Sequence, residues 1–282
     1  MRNALLAQPK GVPWVVATGG LTNVALLFTT FPEVAEHVQG LTIMGGAVGN
    51  KFTDAPMSRL PGEESRIGNI TPYAEFNVYL SFFFFFFFFW TRTLLTMHIQ
   101  IDPEASEAIF SNPILAPKTA IASLDLTHTV LASKEVQTRI LYGSQANPSS
   151  ETTVLRRIMH ALLMFFGSTY ETVFGITTGP PLHDPLAVAM ILSNLNPEYA
   201  KKHPTKALKF DDKDGERFNI SIVTDGKHGK DVSVTGQLGR AVVTPAQGHG
   251  VGIPRGVDND AFWNMVLECL QLADDWNAAR SS

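Results

Sequence analysis

Two glycine pairs bracket the stretch that most constrains this sequence. Val12 to Ala17 is a short, mostly apolar run that leads into Gly19-Gly20. Leu41-Thr42-Ile43-Met44 is a second, stopped by Gly45-Gly46. Apolar runs this short, closed by glycine, read as buried strands. Between them Thr22 or Asn23 caps an amphipathic helix running to about Val38, and Gly40 ends it. Strand, helix and second apolar strand make a βαβ unit and predict a parallel sheet. Parallel sheets carry their sites at the carboxyl ends of the strands, here Thr18-Gly19-Gly20 and Met44-Gly45-Gly46.

The rest of the chain continues the α/β pattern. Residues 1–10 read as the tail of a helix. Thr119 to Leu124 is a strand with Asp125 at its end, and Thr153 to Val173 is a helix rich in Leu, Met and Phe. Asp184 or Pro185 starts an apolar helix through Leu192. Asp211 to His228 is a charged surface excursion or hairpin, and Asp258 to Ala273 is a closing helix. No internal repeat or linker divides the sequence, so 1–282 is expected to be one α/β domain.

Apolar residues make up 45% and charged residues 17%, enough for a sizeable core. A net charge of -4 without a basic stripe argues against a nucleic-acid or anionic-membrane partner. The single cysteine, Cys269, allows no intramolecular disulfide and fits a cytoplasmic setting; on an apolar helix it is expected to be a small buried hydrophobe. Phe82 to Phe89 is an unbroken phenylalanine run followed by Trp90. It falls well short of the ~20 apolar residues of a membrane span.

Four polar constellations could carry chemistry. Thr18-Gly19-Gly20 lies at a strand end, where a glycine turn is the plainer reading because no G-x-G-x-x-G spacing is present. Gly68-Asn69 to Glu75-Phe76-Asn77 places two amides and a carboxylate together, and these donate to and accept from vicinal hydroxyls as a sugar requires. An ordinary polar loop would read the same. His183-Asp184 opens a helix. Asp there is usually a cap, yet the pair could supply a hard oxygen ligand and a proton donor. For Asp125-Leu126-Thr127-His128, capping and packing are the preferred reading.

Taken together these segments resemble the inosine-uridine nucleoside hydrolases, with fungal-type wording at Asn69-Ile70-Thr71-Pro72. The resemblance runs through Ala17 to Asn23, Ile43 to Gly46, Asn69 to Asn77, Ile101 to Ala105, Leu124 to His128 and His183 to Ala189, in order, and covers nearly the whole chain. It implies a Rossmann-like, mostly parallel sheet with flanking helices. It also implies hydrolysis of the N-glycosidic bond of ribonucleosides to base and ribose, in nucleoside catabolism or salvage. Ca²⁺ would hold the ribose hydroxyls and the attacking water, and an oxocarbenium-like transition state would gain from nearby carboxylates. By motif, the Thr18 carbonyl and the Asp184 carboxylate would be calcium ligands. Met44, Asn69, Glu75 and Asn77 would line the ribose. His183 would be the general acid toward the leaving base, and Phe166 and Tyr170 would stack on that base. Members of the family are often homodimers or homotetramers.

Two departures from the pattern stand out. The family's opening D-x-D-P-G-x-D-D motif has no counterpart, so the first strands and several calcium ligands are expected to be missing and activity impaired. Residues 80–100 interrupt a pattern that joining Tyr79 to Ile101 restores, and are expected to be an insertion with the character of a retained intron. Two further classes therefore stand beside the hydrolase: an inactive nucleoside- or ribose-binding remnant, and a non-functional translation product.

Overall fold

The computed structural model describes residues 1–49, 51–56, 102–143, 152–227, 236 and 238–281. After a short helix α1 (Arg2–Leu6), strand β1 (Trp14–Ala17) pairs in parallel with β2 (Gly40–Met44), and β2 pairs in parallel with β3 (Thr119–Ala122). The sheet order is β1-β2-β3. The expected βαβ unit is thus present, in register from Trp14 opposite Gly40 to Ala17 opposite Ile43.

The connection between β1 and β2 differs from the single helix expected. It consists of α2 (Thr22–Thr30) and α3 (Pro32–His37), broken at Phe31. Pro32 is the cause. It has no N–H to continue the ladder, its ring clashes with the carbonyl four residues back, and it suits the first position of a new helix. The third strand likewise stops earlier than expected, at Ala122. Asp125 lies inside a short helix, α5 (Leu124–Thr127), rather than at the strand end.

Helices cover both faces of the sheet, which is why all five residues of β2 are buried. Val15, Leu41, Ile43 and Ile121 face one apolar cluster with α2, α3 and α4 (Pro103–Phe110). Met44 and Ala122 face a second, with Val16 and Ala120 packed against it. That second cluster includes Leu186, Ala187 and Ala189 of α8 (Asp184–Ala189) and Phe262, Trp263 and Leu267 of the closing helix.

Between them α6 (Lys134–Tyr142) packs on the long α7 (Val154–Phe174), which Thr153 caps and Gly175 ends in the left-handed region. Helix α9 (Pro197–Lys202) and strand β4 (Phe210–Asp211) follow. Within the charged 211–227 stretch, β5 (Arg217–Ile222) pairs antiparallel with β6 (Ala241–Ala246), outside that stretch, and buries Phe218, Ile220 and Ile222 in the first apolar cluster, so it is not a surface excursion. Strand β7 (Gly256–Val257) pairs with β4, and α10 (Asn259–Ser281) closes the chain. Cys269 corrects an expectation. It is exposed on α10, because its neighbours Leu267 and Leu270 take the core-facing positions.

A buried ion pair fastens α7. The guanidinium Nε of Arg156 lies 2.5 Å from a carboxylate oxygen of Asp274, both side chains being under 10% exposed. Arg156 also donates to the Arg139 and Ile140 carbonyls at the end of α6, and Thr153 donates to Asp274. With Gln271 Oε1 accepting from Nη2, each guanidinium nitrogen finds an acceptor on α6 or α10, the kind of pairing under which a buried charge pair is tolerated.

Candidate active site

The carboxyl ends of β1 to β3 converge with the start of α8. Thr18 follows β1 and is exposed. Met44 ends β2 and is fully buried in the second apolar cluster. Helix α8 packs against all three strands, which brings His183 and Asp184 to this end of the sheet. Asn69, Glu75 and Asn77 lie outside the described residues.

His183 is the hub. Its Nε2 lies 2.5 Å from the phenol oxygen of Tyr170, and its Nδ1 lies 2.7 Å from the Thr127 hydroxyl. The His128 ring stands edge-on to both, with centroids 5.6 Å from His183 and 5.9 Å from Tyr170. Three chain segments therefore meet: Thr127 and His128 after β3, Tyr170 on α7, and His183 ahead of α8.

This cluster sets the protonation states. Desolvation, with the nearby His128 adding to it, pulls His183 down to about 3. Burial pushes Tyr170 up to about 12, helped by the charge of Asp184. Burial also lowers His128 and raises Asp184. At neutral pH the imidazole and the phenol are both uncharged. A neutral imidazole donates from one nitrogen and accepts at the other, so Thr127 and Tyr170 cannot both donate to it.

Phe166 stands one helical turn before Tyr170, on the same face of α7. It is 38% exposed and edge-on to Phe165, so it offers an aromatic surface beside the cluster. The Asp125–His128 segment is packed as expected, all four side chains being buried, and through Thr127 and His128 it also borders the His183 cluster. Its position directly after a parallel strand is the signal that could have found it. Asp125 is 1% exposed, and burial raises its carboxyl.

A calcium shell is not completed by what these elements supply. Among the described residues no group of three His, Cys, Asp or Glu side chains could hold a metal ion. The family resemblance would supply two donors from the described residues, the Thr18 carbonyl and Asp184, where Ca²⁺ takes six to eight oxygens.

Comparison with known proteins decides the family. A model of the inosine-uridine preferring nucleoside hydrolases matches residues 1–81 and 97–264. The chain belongs to this family. The break between the matched stretches contains Phe82 to Phe89. A uridine nucleosidase of Saccharomyces cerevisiae is 27% identical over 280 residues, 97% of this chain and 65% of the yeast protein. The pyrimidine-specific ribonucleoside hydrolase RihA of Citrobacter koseri is 32% identical over 192 residues, 68% of this chain and 46% of its own.

Among solved structures, a plant nucleoside hydrolase matches 95% of this chain and 64% of its own, with TM-score 0.58 and 18% identity. A purine-preferring ribonucleoside hydrolase from Gardnerella vaginalis matches 95% and 63%, with TM-score 0.56 and 18% identity. The nucleoside hydrolase fold, an α/β fold with a parallel sheet, is therefore shared. The chain spans 40–65% of the length of the first curated relatives it matches.

Proposed function

We propose that this chain carries the leaving-group side of a ribonucleoside N-ribohydrolase site. The observation that carries the reading is the Thr127–His183–Tyr170 chain of hydrogen bonds beside Asp184, in a member of the nucleoside hydrolase family. In such a reaction the C1′–N bond breaks and its electron pair goes to the base. Water oxygen bonds to C1′ as one O–H bond of that water breaks, and the proton it releases balances the one the base ends with. The departing base must gain a proton or a strong hydrogen bond.

The pKa directions refine the role expected of His183. An imidazole held near 3 is not an imidazolium at neutral pH, so it is a poor cationic acid. If Nε2–H is donated to the phenol oxygen, the phenol's own proton is left for the base. Because burial pushes Tyr170 up to about 12, that proton is offered to the base as a hydrogen bond, and no charge is left on the oxygen. Tyr170 thus contacts the base as donor, His183 backs it, Thr127 fixes the ring, and Phe166 supplies an aromatic face. Met44, with Asn69, Glu75 and Asn77, belongs to the ribose side of the reading.

Calcium fits only in part. The Thr18 carbonyl and Asp184 would hold one sector of the ion, which when bound would polarise water and the ribose hydroxyls. No step above depends on it. A cytoplasmic setting and a homodimer or homotetramer complete the reading. The lone cysteine, which allows no intramolecular disulfide, supports the former.

Reducing-sugar release from inosine and uridine, run beside a thermal-shift assay with the same nucleosides, tests the proposal. Sugar release supports it. A thermal shift without sugar favours a binding remnant, and neither signal sinks both.

A further inference from the structure

The turn after β2 has an unusual tenant. Gly45, Gly46 and Gly49 take φ of 157°, 73° and 66°, conformations that side chains resist. Turns of this kind align successive backbone N–H groups into a concavity for anions. Here the anion is internal. Val48 N–H donates to Oδ2 of Asp125 at 2.7 Å, and Gly49 N–H donates to Oδ1 at 2.9 Å.

Further bonds tie the same turn to α5. The Asp125 carbonyl accepts from Thr53 Oγ1 at 2.7 Å, and Leu124 N–H donates to the Gly46 carbonyl at 3.0 Å. His128 Nδ1 lies 2.8 Å from the Pro56 carbonyl. Two residues beyond Asp125, Thr127 holds His183. One short helix therefore grips both the turn that follows Met44 and the hub of the aromatic cluster.

We infer that Asp125 is a positioning residue: its carboxylate fills the backbone concavity after Met44 and locks the Met44 wall to the helix that orients His183. The inference rests on the nucleosidase reading, but the clamp is measurable without turnover. A carboxylate is required because it accepts from both amides at once. An asparagine offers one acceptor oxygen and turns an NH₂ group toward the second N–H.

The test is site-resolved hydrogen exchange on the full chain and on Asp125→Ala and Asp125→Asn. In the unsubstituted chain, Val48 and Gly49 should be among the slowest amides of residues 45–53. In Asp125→Ala these amides should exchange at least about tenfold faster while α7 and α10 stay protected, and added formate should restore protection. Asp125→Asn, close in size, should expose one amide and carries the test if the alanine variant does not fold. With inosine or uridine, KM should rise more than kcat falls, and formate should reverse the change. Fast Val48 and Gly49 exchange in the unsubstituted chain overturns the inference. So does loosening spread evenly over the chain and indifferent to formate. Absence of sugar release from the unsubstituted chain counts against the nucleosidase reading alone.

Discussion

The phenol oxygen of Tyr170 lies 2.5 Å from Nε2 of His183, joining a residue on the long helix α7 to the residue that precedes α8. Both rings are neutral at pH 7, so their bond is a shared proton between uncharged groups, not an ion pair. The chemistry proposed for the site follows from that.

Tyr170→Phe keeps the ring and removes the proton. Sugar release is expected to fall about 10²-fold, mainly in kcat, as for loss of a positioned acid. His183→Gln should cost a similar factor. The double variant should be little worse than either single one, because the two act as a unit. Steady-state sugar release checks all three, and additive losses would refute the coupling.

Stability should fall on acidification below about pH 6.5. His183 binds its proton at about 3 when folded and near 6.5 when unfolded. The unfolded state therefore takes up the proton first. The contribution is fully present above pH 6.5 and is lost progressively as the pH falls toward 3. His128, also lowered, acts in the same direction. Denaturant midpoints from pH 8 to 4 should show a shallower slope for His183→Gln than for the unsubstituted chain. An unchanged slope would contradict the neutral assignment.

Asp274→Ala leaves the Arg156 guanidinium buried among α6, α7 and α10 with its charge uncompensated. A loss of about 3–5 kcal/mol is expected. Replacing both partners, as Arg156→Met with Asp274→Leu, should recover much of it. Urea unfolding measures both, and a double variant as unstable as Asp274→Ala would show that packing, not charge, sets the cost.

Calcium binding by this chain should be weak, in the range of about 10⁻⁴–10⁻³ M that characterises sites with few charged ligands. The proposed reading draws two donors from the described residues, the Thr18 carbonyl and Asp184, and these residues hold no three-member cluster of His, Cys, Asp or Glu. Calorimetry on the 282-residue chain decides the point, with micromolar affinity as the refuting outcome.

Much of the architecture was legible because it rests on local signals. Apolar runs closed by glycine mark β1 and β2, and the Leu-, Met- and Phe-rich run from Thr153 to Val173 marks α7. Pro32 was an equally local signal, and it divides the helix drawn through it. The apolar neighbours of Cys269 predict a buried side chain, yet on a helix a shift of one or two positions turns a side chain from core to water, and Cys269 is exposed.

The site divides along the same line. The sequence by itself determined the family pattern, the strand ends where a site must lie, and the residue types His183, Asp184 and Tyr170 that could serve it. Only the tertiary structure decided that Thr127, Tyr170 and His183 bond in one chain, that His183 is neutral, and that Asp125 grips the turn after Met44 across 77 positions. Protonation depends on how much water surrounds a ring, and hydrogen bonds on where separate segments meet. Both are set by packing between elements distant in sequence, and periodicity along a single chain carries neither.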